Sequence, residues 1–386
     1  MRKKIAIFGS TGSIGRSLID IIKKDKKNFE VILLTANKND KVLIKQARSL
    51  NVKNIIITDK KKYQNLIKQK NIKIKIFNDF NNLNKIFTKK LDYIMSSITG
   101  INGLEPTYLS IKHTKRIAIA NKESIICAWN ILNKELKKNK TEFVPVDSEH
   151  FSISRAIGNH SKKNIDKIFI TASGGPFYNL SLSKFNKIKV KDALKHPKWK
   201  MGKKISVDSS TMMNKVFEVI EAKNIFNLNL NEIKILVHQE SYLHAIVKFK
   251  DGITKMIIHD TDMRIPIFNT LYLDKKYFKK NKDLNFTKIN NLKLQKPNIK
   301  KFPLIGLLKK IPSKFSLFET VIVAANDTLV EMFLREKIQF REISKNFFSI
   351  INDKDLQKYM LIVPKNIYDV VKLKKFVQKK IESRYT

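Results

Sequence analysis

Apolar and polar positions alternate in blocks along the first half of the chain, in a pattern that predicts repeated strand–helix units. Lys4–Phe8 is a short apolar strand, after which Ile14, Leu18, Ile19, Ile21 and Ile22 recur at helical spacing. Further strand-like runs fall at Glu30–Leu34, Asn54–Thr58, Ile72–Phe77, Tyr93–Ser97 and Arg116–Ala120, with helical patterns between them. The alternation predicts an α/β fold that begins with a Rossmann-like, doubly wound parallel sheet, its ligand at the carboxyl edge. Ile168–Ala172 is a further strand, and Ile233–His238, His244–Phe249 and Lys255–His259 predict an antiparallel sheet in a middle α+β domain. From Pro303 the periodicity is helical to the end, so a small helical domain closes the chain. The expected division is 1–146, 147–273, a Lys- and Asn-rich linker over 274–302, and 303–386.

Composition narrows the class. The chain has 386 residues, enough for two or three domains with a sizeable core, and a single cysteine, Cys127. That excludes a disulfide framework or a cysteine-rich zinc site and suits a reducing compartment. The opening MRKKIAIFGS imitates a signal peptide, but its apolar run is four residues long, and no segment is apolar over a membrane span. A cytoplasmic protein without membrane association is expected. The net charge of +43 points directly to nucleic acid, yet only nine of the 77 basic residues are Arg. Lys is scattered with Asn and Ile along the whole chain, whereas nucleic-acid readers cluster their charge and favour Arg. No nucleic-acid partner is expected; the field instead gathers small anions.

The candidate chemistry sits at the joints of this pattern. Gly9-Ser10-Thr11-Gly12-Ser13-Ile14-Gly15 follows the first strand and opens a helix, the context of a dinucleotide turn. After the second strand, where an NAD site wants an acid, stands Lys38, which favours the 2′-phosphate of NADPH. Lys122 begins a helix after another strand, at the same edge. Asp147 and Glu149, two apart on an extended segment, point the same way and form a hard-cation site when a third acid joins them. Glu218 is that third acid; all-oxygen ligands suit Mg²⁺ or Mn²⁺. Ser209, Ser210 and Thr211 read as N-caps of an amphipathic helix over Met212–Ala222, whose first turn carries Asn214 and Lys215. Donors for a phosphate and the Glu218 carboxylate then share one face. Read alone, Lys215–Glu218 is equally a solvated salt bridge. Ser173-Gly174-Gly175 is a second turn able to hold a phosphate.

Taken together these stretches resemble the 1-deoxy-D-xylulose-5-phosphate reductoisomerase family. The motifs are G-S-T-G-S-I-G at Gly9–Gly15, A-N-K-E-S at Ala120–Ser124, P-V-D-S-E-H at Pro145–His150 and S-G-G-P-F at Ser173–Phe177. H-P-K-W-K-M-G-K-K-I-S-V-D-S-S-T-M-M-N-K at His196–Lys215 is the most specific; Asp262-Met-Arg and Ala324-Ala-Asn326 continue the match. The resemblance implies NADPH-dependent conversion of 1-deoxy-D-xylulose 5-phosphate to 2-C-methyl-D-erythritol 4-phosphate with Mg²⁺ or Mn²⁺ (Co²⁺ is a third candidate), in a homodimer. It implies Asp147, Glu149 and Glu218 as metal ligands and Ser173, Ser209, Asn214 and Lys215 as the phosphate site. Lys122 and Ser148 would contact substrate oxygens, and His196 to Met201 would form a lid with Trp199 over the substrate. Ser10 to Ile14, Asn37, Lys38, Asn39, Asn121, Glu123 and Gly202 would contact NADPH.

There are departures from the family pattern. Asn37 stands where the family commonly has Gly, and Asn tolerates positive φ. His238-Gln-Glu240-Ser241 replaces H-P-Q-S, Phe151–Arg155 replaces an N-A-I-F-Q type run, and Asp327 replaces Glu after Asn326. Two alternatives remain beside this reading: a catalytically impaired relative, or another NADPH-dependent dehydrogenase of a small phosphorylated or carboxylated molecule. A semialdehyde dehydrogenase would need a nucleophilic cysteine, and Cys127 lies in an apolar helical run.

Overall fold

The computed structural model describes residues 2–69, 73–199, 201–273 and 283–385. Ile72, Lys200 and the first part of the expected linker, 274–282, lie outside the described residues. The chain divides into two compact units. The first comprises Met1–Ser124, Leu132–Asp147 and Asp262–Asn281, and the second Ile125–Ile131, Ser148–Thr261 and Lys282–Thr386.

In the first unit seven strands form one parallel sheet: β1 (Lys3–Phe8), β2 (Phe29–Ala36), β3 (Asn54–Ile57), β4 (Lys75–Phe77), β5 (Tyr93–Ser96), β6 (Arg116–Ile119) and β7 (Glu142–Pro145). Their order is β4-β3-β2-β1-β5-β6-β7. The winding reverses between β1 and β5, paired from Ile5↔Tyr93 to Phe8↔Ser96, so the glycine turn after β1 opens at the switch point. Strands buried on both faces carry continuous apolar runs: Ile5, Ala6, Ile7 and Phe8 are all fully buried. The helix Ser13–Lys23 covers one face with Leu18, Ile19 and Ile22. Gly15 is demanded by a close approach, since a Cβ there would lie 2.5 Å from the Gly9 carbonyl oxygen. The helix Arg264–Tyr272 also belongs here, although its sequence position suggests the middle domain. Thr270 meets the buried Tyr93 hydroxyl at 2.9 Å, and Tyr272 donates to Asp25 at 2.7 Å.

The second unit contains β8 (Ile165–Ala172), β9 (Ile233–Val237), β10 (Leu243–Phe249) and β11 (Thr254–Ile258), in the order β11-β10-β8-β9. The sheet is mixed rather than antiparallel, because β8 and β9 run parallel. Between them the chain crosses over through the helices Lys203–Ser210 and Met213–Phe226, which returns it in the same direction. Part of the expected linker is structured: Phe286–Asn290 is helical, and Gln295 pairs with Val237 on the open edge of β9 through N–H···O bonds of 2.7 and 3.0 Å. The C-terminal helices Phe318–Leu334, Phe340–Ile351 and Ile367–Tyr385 follow the helical pattern, the first almost wholly buried. Among the described residues no helix is long and apolar enough to cross a membrane.

Candidate active site

In the first unit the glycine turn presents Thr11, Gly12, Ser13 and Ile14 at the start of a helix, all at least partly accessible. Ser10 is different. Its hydroxyl is fully buried, 2.9 Å from Gln46 Oε1, its N–H donates to the Thr35 carbonyl and its carbonyl accepts from Gln46 Nε2 (both 2.9 Å), so contrary to expectation it braces the turn from behind and offers no group to a ligand. Lys38 is exposed at the end of β2, and Asn39 caps the following helix by accepting from Val42 N–H. Asn37 does not take the positive φ expected of a glycine replacement; it is extended into a 2.8 Å hydrogen bond to Thr58. Asn121 accepts from Ser124 N–H (2.8 Å) as a helix N-cap and donates to the carbonyls of Ile98 and Gly100 and to Glu123. These bonds fix where Lys122 starts its helix. Lys122 is not a surface charge: it is 7% exposed, and its Nζ lies 3.2 Å from Asp147 Oδ2 just beyond β7.

The second unit gathers most of the remaining candidates. Ser209 and Ser210 do not begin the Met213–Phe226 helix, as their sequence position suggested. They end the separate helix Lys203–Ser210, whose own N-cap position is Gly202. Ser210 and Thr211 donate back to the carbonyls of Val207 and Asp208. The reversal falls on Met212, a buried non-glycine residue at φ +64°, and Thr211 Oγ1 accepts weakly from Met213 N–H at 3.4 Å. Nor is the next helix amphipathic. Val216, Phe217, Val219 and Ile220 are buried, but so are Lys215, Glu218 and Glu221. At 5% and 1% exposure Lys215 and Glu218 lie where a solvated salt bridge cannot exist.

Within that helix Asn214 Nδ2 donates to Glu218 Oε1 at 2.5 Å, and Lys215 Nζ pairs with Glu218 one turn on. Lys215 also reaches Glu149 Oε1 at 2.9 Å, in the first turn of the helix Ser148–Ile157, and Ser148 donates to the other Glu149 oxygen at 2.5 Å. Burial pushes the Lys215 ammonium down, but Glu149 and Glu218 more than reverse this and hold it above the ordinary lysine range. It therefore stays charged. One cation balances only one of two adjacent carboxylates, the buried Glu218 and the partly buried Glu149, so this donor set of hard oxygens fits a further divalent cation.

The Ser173 turn lies against the same bend. Gly175 has φ +68°, and a Cβ there would come within 2.7 Å of the Ser209 carbonyl oxygen. His196 completes the group: its Nδ1 accepts from the N–H groups of Lys198 (3.2 Å) and Trp199 (2.9 Å). The neutral ring thus carries its proton on Nε2, which donates to Ser173 Oγ at 3.0 Å. Ser173 Oγ accepts from Gly175 N–H as well (3.2 Å), leaving its own hydroxyl proton for an anion. Trp199 stands edge-on to His244 at 6.3 Å, and the departure Glu240 accepts from Lys198 Nζ at 2.9 Å, tethering the lid sequence. The other departures are absorbed locally, with Arg155 over the Phe151 ring and Ser152 3.4 Å from His259. The contacts that sequence reading missed, His196 to Ser173 and Gly175 to Ser209, join residues far apart in the chain and have no local signature.

The pKa of His196 is lowered to about 4, first by burial and second by the Lys215 charge. An unfolded chain takes up the proton near the ordinary value of 6.5, before the folded one does. The stability held by the neutral ring is therefore complete above about pH 6.5 and drains away as the pH falls towards 4. Denaturation curves across this window should show a steeper acid loss for the native protein than for His196→Gln.

A dinucleotide-type parallel sheet, together with a buried cluster of acids and anion donors in the second unit, defines an α/β oxidoreductase acting on a phosphorylated substrate. Comparison with known proteins is specific. Three profiles of 1-deoxy-D-xylulose 5-phosphate reductoisomerase and its C-terminal domains match residues 5–129, 143–226 and 258–380. The Pelagibacter ubique enzyme of that name is 56% identical over 99% of both chains, and that of a Sulfurihydrogenibium species 38% identical over 92% of both. Among solved structures, the Zymomonas mobilis reductoisomerase in complex with NADPH aligns with TM-score 0.88 and 32% identity over 100% of this chain and 99% of its own. A DOX-P reductoisomerase in complex with NADPH, fosmidomycin and magnesium aligns with TM-score 0.92 and 28% identity over 99% and 98%. The chain belongs to the 1-deoxy-D-xylulose 5-phosphate reductoisomerase family.

Proposed function

We propose that the chain converts 1-deoxy-D-xylulose 5-phosphate to 2-C-methyl-D-erythritol 4-phosphate, using NADPH and Mg²⁺ or Mn²⁺. The observation that carries this is the meeting of Glu149, Glu218 and Lys215 inside one unit, on the helix whose start bears Asn214 and follows Ser209. Asp147, Glu149 and Glu218 hold the cation. Ser173, Ser209, Asn214 and Lys215 hold the substrate phosphate, while Lys122 and Ser148 contact the oxygens of the reacting carbons. Bound NADPH supplies the hydride, and the cation supplies Lewis acidity during the carbon-skeleton rearrangement. This chain's residues do the rest. The phosphate grip, remote from the bond changes, orients the reacting carbons. His196 keeps Ser173 facing the anion, and Trp199 excludes water from the branched aldehyde before its reduction. Retro-aldol/aldol and 1,2-shift routes both place the same demands on these groups.

Thr11 to Ile14, Asn37 to Asn39, Asn121, Glu123 and Gly202 contact NADPH, with the exposed Lys38 suited to the 2′-phosphate. The protein works in the cytoplasm as a homodimer joined through the second unit, a reading supported by the partly exposed edge strand β11, where Met256 is 47% exposed.

The test is NADPH oxidation followed by absorbance with the ketose phosphate and either cation, repeated with chelator. Substrate-dependent oxidation that chelator abolishes is expected. A folded, NADPH-binding protein that turns over with neither cation would overturn the reading.

A further inference from the structure

Asp208 is the residue before Ser209, and it is buried to 1% exposure with nothing to do in the chemistry above. Its carboxylate accepts from Asn326 Nδ2 at 2.7 Å and pairs with Lys204 Nζ at 3.1 Å. Lys204 also reaches Asp327 Oδ1 at 2.9 Å and lies 5.4 Å over the ring of Phe217. Three helices meet here, Lys203–Ser210, Met213–Phe226 and the deeply buried Phe318–Leu334: the four polar residues bond the first to the third, and Lys204 alone touches the second, over the Phe217 ring. Between the first two lies the bend at Thr211–Met212, flanked by Ser209 on one side and Asn214 and Lys215 on the other.

A carboxylate buried this close to an anion site carries two costs, its own desolvation and repulsion of the ligand. A purely structural contact would be met better by an apolar pair of the same volume. What the carboxylate offers is direction: two charge-assisted bonds fix the last turn of the first helix in rotation as well as position. Lys204 offsets the charge, and its second bond to Asp327 anchors it to the same buried helix as Asn326. The bend has no glycine, and Met212 holds a left-handed conformation that its surroundings must enforce.

We propose that Asp208, held by Asn326 and Lys204, is a positioning residue for the phosphate cradle. It sets the aim of Ser209 and the entry angle of the helix that carries Asn214 and Lys215. The inference rests on the proposed phosphate site. It gives a role to the Ala324-Ala-Asn326 motif, and the departure Asp327 retains the shape of the network by accepting from Lys204.

The decisive comparison is Asn326→Leu, which removes the bond, Asp208→Asn, which removes its charge, and the exchange variant Asp208→Asn/Asn326→Asp, which reverses the polarity of the pair and restores a charge-assisted carboxylate–amide bond. Four quantities are measured: inorganic phosphate affinity by calorimetry, KM and kcat for the ketose phosphate, and NADPH affinity. Each single variant should weaken inorganic phosphate and raise KM by about tenfold, the loss expected of one misaligned charge-assisted bond. kcat and NADPH affinity should change far less, and the exchange should recover most of the loss. Unchanged phosphate affinity and KM in folded single variants would overturn the proposal. So would an equal loss of NADPH affinity, or an exchange variant no better than either single one. Phosphate affinity needs no turnover, so it decides the matter even if the proposed reaction fails with the native protein. Should Asn326→Leu not fold, Asp208→Asn against the exchange carries the same contrast.

Discussion

Glu218→Gln should lower kcat by about 10³-fold or more while leaving NADPH affinity unchanged. A metal acting as Lewis acid supplies several kcal/mol of transition-state stabilisation, and each 1.36 kcal/mol is about tenfold in rate. The amide is nearly isosteric and keeps an oxygen towards Asn214, which donates to Glu218 Oε1 at 2.5 Å, so the buried helix should remain folded. What disappears is one negative charge of the three acids proposed to hold the cation. Single-turnover measurement of NADPH oxidation over a range of Mn²⁺ concentrations separates the cases. Recovery at high Mn²⁺ would mean that affinity alone was lost. Activity within about tenfold of native at ordinary Mn²⁺ would remove Glu218 from the site.

Lys215→Met should be the most destabilising single change in the cation-free protein, and the one that a divalent cation best repairs. Removing one partner of a buried ion pair costs about 3–5 kcal/mol, because the remaining charge is stranded. Here two carboxylates, Glu149 and Glu218, would be stranded together. A ligand that binds only the folded state stabilises by about 2.7 kcal/mol at a hundred times its Kd. Chemical denaturation with and without Mg²⁺ should therefore show a larger gain for Lys215→Met than for the native protein. Turnover would not return with stability, since the phosphate would still lack its buried cation; KM should stay raised by about 10- to 100-fold, the worth of a charged hydrogen bond. A variant as stable as native without metal would show that Lys215 does not offset the two acids.

Much of this was legible from residue patterns, and the parts that were share a cause. Six of the seven parallel strands were readable because strands covered on both faces carry apolar runs, and the intervening helices must repeat at 3.6 residues; β7, only four residues long and opening on the exposed Glu142, has no such run. The glycine turn was readable because tight turns and close backbone approach restrict residue type locally: Gly15 has no room for a Cβ. Asn214, Lys215 and Glu218 share a face by helical geometry alone, so their mutual contacts followed from spacing.

Where the reading failed, long-range packing had overruled a local preference. Ser209 and Ser210 have the residue types of an N-cap, yet they close the preceding helix, because the buried left-handed Met212 takes the reversal. The charged Met213–Phe226 helix has an amphipathic pattern, but the surrounding structure encloses all of it except the partly accessible Asn214, Asn224 and Ile225. Asn37 tolerates positive φ by residue type, whereas its hydrogen bond to Thr58, a strand away, holds it elsewhere. The parallel return of β9 depended on the path of the crossover, which strand composition does not encode.

The amino-acid sequence by itself determined the class of sheet, the place of the dinucleotide turn and the roster of acids and anion donors, because each rests on chemistry within a few residues. Only the tertiary structure decided that Glu149 meets Lys215, that His196 orients Ser173 and that Asp208 reaches Asn326. Those pairings join segments separated by 23 to 118 positions. Over such spans the partner of a buried charge is set by how whole helices pack, and by the cost of leaving that charge alone.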